Sequence, residues 1–90
     1  MMWQAISGDA LHIRFWNDEF VVYNSLSGDT HLLGASAAHI LLKLQHTASD
    51  VATLAASLAS LMQAEMDDEF LSQTEQLLAG LGKLALIEHS

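Results

Sequence analysis

The stretch FVVYNSLSGDTHLLGASAAHILLKL, residues 20–44, decides the fold. Phe20, Val21, Val22 and Tyr23 are aromatic or β-branched, the residue types that fit a pleated surface. Ser27-Gly28-Asp29 supplies a turn, because glycine accepts the positive φ of a tight reversal. Residues 30–33 return as a strand, and Gly34 breaks it. The period then changes. Ala37, Ile40, Leu41 and Leu44 recur at i, i+3, i+4 and i+7, one face of a helix, with Ser36 expected as its N-cap.

Working outward toward the N-terminus, Leu11, Ile13 and Phe15 alternate with His12, Arg14 and Trp16, a half-buried strand of period two. Asn17-Asp18 suits a hairpin turn, since both residues tolerate left-handed backbone geometry. Strands over residues 11–16, 19–24 and 29–33 form an antiparallel meander. Residues 3–6 are read as a short first strand, ended by a turn at Ser7-Gly8-Asp9.

Toward the C-terminus three helices follow. The first covers residues 36–46. Thr47-Ala48-Ser49 interrupts it, with Ser49 expected to cap the second helix and Asp50 placed near its positive end. Val51, Leu54, Ala55, Leu58, Leu61 and Met62 form the second apolar stripe, opposite the small residues Ala52, Ala56, Ala59 and Ser60. The third helix starts near Asp67 or Asp68, turns Phe70, Leu71, Thr74, Leu77, Leu78 and Leu81 inward, and stops at a left-handed Gly82. Residues 84–88 are read as a short terminal strand pairing with the Trp3 region. The expected fold is α+β and winged-helix-like: a three-stranded meander, then three helices whose apolar stripes need a sheet to cover.

Composition narrows the function. Ninety residues, half of them apolar, predict a single domain over 1–90. There is no cysteine, which excludes disulfides, thiolate metal sites and cysteine nucleophiles. Eleven acids face only Arg14, Lys43 and Lys83, for a net charge of −8. Nucleic-acid affinity rests on Lys and Arg neutralising phosphates, so neither DNA nor an anionic membrane is an expected partner. No segment has the roughly 20 apolar residues of a membrane span. The first residues lack the basic and apolar regions of a signal peptide, so a cytoplasmic location is expected.

Catalytic patterns are missing. His12, His31, His39, His46 and His89 show no metal-ligand spacing, and no cofactor is expected. Asp67-Asp68-Glu69 lacks the alternating ligands of a calcium loop and is explained by helix capping. Gly80 and Gly82 close a helix rather than open one, so they cradle no phosphate. Trp3, Trp16 and Tyr23 are read as packing residues, there being no basic patch to make them base-stacking platforms. The chain reads as a binding module, not an enzyme.

The order of elements resembles the PqqD family of peptide chaperones, recognition elements of pathways that modify ribosomally made peptides. The residues that carry the resemblance are Val21-Val22-Tyr23-Asn24, then Ser27-Gly28-Asp29-Thr30-His31-Leu32-Leu33, then Ala37-Ala38-His39-Ile40-Leu41. Asp68-Glu69-Phe70-Leu71, Leu77-Leu78 and Leu84-Ala85-Leu86-Ile87 are similar to the third helix and closing segment of the family. The Trp3-Gln4 start is similar to a subgroup found with a protein related to the HPr kinase. The resemblance implies that a precursor (leader) peptide adds as a strand beside residues 30–33 and is presented to a modifying enzyme, HPr-kinase-related or radical. The implied peptide site is Thr30, His31, Leu32 and Leu33 on the strand, with facing positions among Phe70, Leu71, Thr74, Leu77 and Leu78, and Asp67 and Asp68 attracting a basic peptide residue. Two other readings stay open: a structural or oligomerising subunit, with a homodimer through the sheet edge or the Ala-rich helix, and a winged-helix nucleic-acid regulator, which the charge disfavours.

Overall fold

Eight elements follow one another: β1 (Trp3–Ala5), β2 (Leu11–Trp16), β3 (Glu19–Asn24), β4 (Asp29–Leu33), α1 (Ala35–His46), α2 (Val51–Met62), α3 (Asp68–Lys83) and β5 (Ile87–His89). This is a computed structural model, and it describes residues 2–6 and 10–89. The turn read at Ser7-Gly8-Asp9 lies outside the described residues. The fold is α+β, with an antiparallel sheet in the order β2-β3-β4 and a two-stranded ribbon β1-β5.

Local chemistry accounts for the meander. Asn17 and Asp18 both take positive φ, 55° and 64°, the type I′ geometry whose twist matches its flanking strands. Gly28, at φ 78°, closes the second hairpin. The buried Asn24 steadies that turn, its Oδ1 accepting the Leu26 N–H at 3.0 Å and its C=O the Gly28 N–H at 2.8 Å.

Two expected caps move by a residue or two. Ser49 does not cap α2, because its backbone is already paired both ways with Trp3, at 2.8 and 2.9 Å. Asp50 caps instead, accepting from the Thr53 N–H at 2.8 Å. Ser36 lies inside α1, whose N-cap is Gly34 with no side-chain bond; the Ser36 hydroxyl sits 3.8 Å from Met62 Sδ. Asp67 caps α3 through the Phe70 N–H at 2.8 Å, as capping predicts for this acidic run.

The end of α3 is a correction too. Gly82 stays helical, and the left-handed residue is Ala85, φ 59°. Leu86 N–H reaches Leu81 C=O at 3.1 Å and Ala85 N–H reaches Gly82 C=O at 3.0 Å, the paired bonds of a Schellman motif. Leu81 and Leu86, the residues such a motif brings together, are both buried. Burying that pair sets the stop three residues beyond the expected glycine. The terminal strand accordingly starts at Ile87 and pairs with β1, Trp3 opposite His89 and Ala5 opposite Ile87.

One core cluster joins the layers. Val22, Leu33, Ile40, Leu41, Leu54, Leu78, Leu81, Leu86 and Ile87 are among its members, with Trp3, Ile13, Phe20, Phe70 and Leu77 packed around it. The alternation read in the strands holds at Leu11, Val22 and Leu33. It fails at Phe15, which is 61% exposed at the strand end and keeps only the Phe20 ring, at 5.0 Å. Leu61 and Met62, read as the end of the α2 stripe, are exposed, whereas Ala59, read on the opposite face, is buried.

Candidate functional site

β4 is an edge strand, and the register shows which of its groups are free. Residues flanking a two-residue hairpin exchange backbone bonds, and bonded pairs alternate with unbonded ones. Trp16 and Glu19 flank Asn17-Asp18, so Glu19, Val21 and Tyr23 turn their backbone groups to β2. Phe20, Val22 and Asn24 turn theirs to β4, where Leu33, His31 and Asp29 answer. The N–H and C=O of Thr30 and Leu32 therefore point away from the sheet. They are two donors and two acceptors at the spacing an added strand requires.

The side chains follow the opposite rule. Thr30 and Leu32 lie on the sheet face away from the helices, both exposed, with Leu32 65% exposed. His31 and Leu33 face inward beside their cross-strand partners Val22 and Phe20. His31 is half-buried, and its Nε2 is buried without a hydrogen-bond partner among the described residues. Such an atom is uncommon in a folded chain. Around the end of β4, Phe15, Asp18, Glu19, Phe20, Leu32 and Leu33 with the start of α1 line a depression of about 330 Å³.

The other half of the expected site is on α3. α1 packs against both β4 and α3. Of the α3 positions, Phe70, Leu71 and Leu77 are half-buried and retain accessible surface. Thr74 and Leu78 do not. Both are core residues, and the Thr74 hydroxyl donates to the Phe70 C=O at 3.0 Å. Leu33 is likewise buried. The side chains of Leu33, Thr74 and Leu78 thus belong to the core, whatever the backbone of Leu33 offers at the edge. Asp67 and Asp68 are exposed at the start of α3, Asp67 engaged as the cap. Glu65, Asp67, Glu69, Phe70 and Gln73 line a small acidic depression of about 260 Å³ there.

Sequence reasoning missed the far side of the sheet. Trp16 and Tyr23, read as packing residues, are 74% and 43% exposed. With His12, Arg14, Phe15 and Val21 they line an open depression of about 820 Å³. The signal was present in the alternation, since Trp16 shares its face with His12 and Arg14. Trp3 is the one aromatic of the three that packs on the core.

Among the described residues no group of three or more His, Cys, Asp or Glu could hold a metal ion, and no helix is long and apolar enough to cross a membrane.

The fold is one already seen in a solved structure. No family model and no curated protein sequence matches the chain significantly. The chain is similar to TbiB1 in complex with the TbiA(beta) leader peptide, with a TM-score of 0.73 across 97% of this chain and 96% of that one, at 17% identity. At that identity the likeness is one of fold.

Proposed function

We propose that this chain is a non-catalytic peptide-binding chaperone, a recognition element of the PqqD type. It captures a precursor (leader) peptide by strand addition and presents it to a modifying enzyme, HPr-kinase-related or radical. The observation that carries this reading is the outward set of backbone groups at Thr30 and Leu32, with Phe70, Leu71 and Leu77 of α3 as the partly exposed side chains taken to complete the site. Backbone pairing supplies affinity that depends little on peptide sequence, and side-chain pockets select among peptides. The shared fold with TbiB1, which was solved with a leader peptide, supports the same reading. His31, with its unpartnered Nε2 on the inward side of the edge, is the position where a polar peptide group gains most. The carboxylates at Asp67 and Asp68 attract a basic residue at one end of the peptide. The whole chain acts as one domain in the cytoplasm, without a cofactor.

The test is an NMR titration of labelled protein with candidate precursor peptides encoded near its gene. Amides of residues 29–33 shift first, together with those of Phe70 and Leu71. Thr30→Pro, which removes an outward N–H without touching the β3 ladder, abolishes binding while the fold persists. Shifts confined to β2 would sink the proposal.

A further inference from the structure

The bare face of the sheet is not built as a solvent face. Its residues run in cross-strand rows: Trp16 with Glu19; Arg14, Val21 and Leu32; His12, Tyr23 and Thr30. His12 and Tyr23 stack with ring centroids 6.2 Å apart. Trp16, Tyr23 and Leu32 stand 74%, 43% and 65% exposed. Together they leave on the order of 500 Å² of largely apolar side-chain surface in the open. Contiguous patches of that size on a small domain mark interaction sites.

The charges on this face say what covers it. The face carries one carboxylate, Glu19, and one guanidinium, Arg14, on adjacent strands one row apart. Neither meets an opposite charge straight across the sheet, where Arg14 faces Val21 and Glu19 faces Trp16. One cation and one anion beside an exposed aromatic and an open depression make a self-complementary patch, the requirement of a two-fold contact. Asp18 in the β2-β3 turn and Asp29 at the start of β4 border this face; the other carboxylates are on other elements, at Asp50 on the start of α2, at Glu65, Asp67, Asp68, Glu69 and Glu75 on and before α3, and at Glu88. Two chains of charge −8 therefore approach with least repulsion through this surface.

We infer that two copies of this chain associate face to face through the bare side of the β2-β3-β4 sheet. Arg14 of each copy pairs with Glu19 of the other, and each Trp16 seats in the depression lined by His12, Val21 and Tyr23. The contact removes on the order of 1,000 Å² in total, the lower limit of a specific interface, so the dimer is weak and exchanges readily. It leaves the outward backbone of β4 and all of α3 free, so it stands independently of peptide capture.

Sedimentation equilibrium of the full chain from low to high micromolar concentration tests this. The wild type dimerises reversibly. Arg14→Glu and Glu19→Arg each weaken the dimer about tenfold or more, Trp16→Ala does the same, and the Arg14→Glu, Glu19→Arg double variant recovers association. Thermal melts of these exposed-site variants match the wild type, separating loss of contact from loss of fold. A wild type monomeric throughout overturns the inference, as does a dimer indifferent to Arg14→Glu and Trp16→Ala. A dimer abolished by Thr30→Pro alone would also overturn it, placing the contact on the β4 edge. Peptide titration of the same samples reports on the chaperone reading separately.

Discussion

The two faces of the β2-β3-β4 sheet are built from one set of strands and have opposite fates. Val22 is buried under α1 while its chain neighbour Val21 is partly exposed on the bare side. The chemistry is identical, and only the pleat separates them. The covered face packs against α1, whereas none of the described elements covers the bare face. The difference teaches that apolar content alone does not mark the core of so small a domain. With the meander confined to residues 11–33, the helices that follow it reach only one side.

The comparison can be broken or sharpened by substitution. The largest effect belongs to the helical layer: Ile40→Ala lowers unfolding free energy by about 2–5 kcal/mol in denaturant titration, because the cavity cannot collapse between sheet and helices. Val22→Ala and Val21→Ala make the direct pair. The first costs about 2 kcal/mol and the second about 0.5 kcal/mol or less. Equal costs would mean that the bare face is covered in solution by something more than a weakly bound second copy.

A smaller effect sharpens how the cover is pinned. Ala85→Gly relieves a left-handed alanine at the end of α3 and raises stability by about 0.5–1 kcal/mol, read as an increase in melting temperature. The smallest effect is at the start of α2. Hydrogen bonds from the Thr53 side chain and then its backbone N–H hold the Asp50 carboxyl below the ordinary carboxylate range. Its folded value thus lies below its unfolded one. The stabilisation is complete above about pH 4 and is lost as pH falls through the folded value. Asp50→Asn, which keeps a capping oxygen without the charge, therefore melts below the wild type near neutral pH and converges with it in acid.

Much of the fold was legible because it depends on neighbours in the chain. Asn17-Asp18 and Gly28 set two hairpins, the change of period after Gly34 marks the helices, and Asp67 announces the start of α3. The edge strand that carries Thr30 to Leu33 was legible for the same reason. The caps at Asp50 and Gly34 and the stop at Ala85 were not: Ser49 is taken by Trp3, far along the chain, and at the end of α3 the burial of Leu81 against Leu86 overrides the glycine signal.

What the amino-acid order determined by itself is the alternation of strands and helices and the acidic, cysteine-free character of the chain, because periodicity and charge are properties of composition and spacing. What only the tertiary structure decided is which apolar residues find a cover. Trp16 and Tyr23, read as packing residues, were left out, as were Leu61 and Met62, while Ala59 was drawn inside. A sheet has two faces and two edges, and three short helices in this order can close only one of those faces. The open edge at Thr30 and Leu32 and the open face around Trp16 both follow from that single shortage of cover.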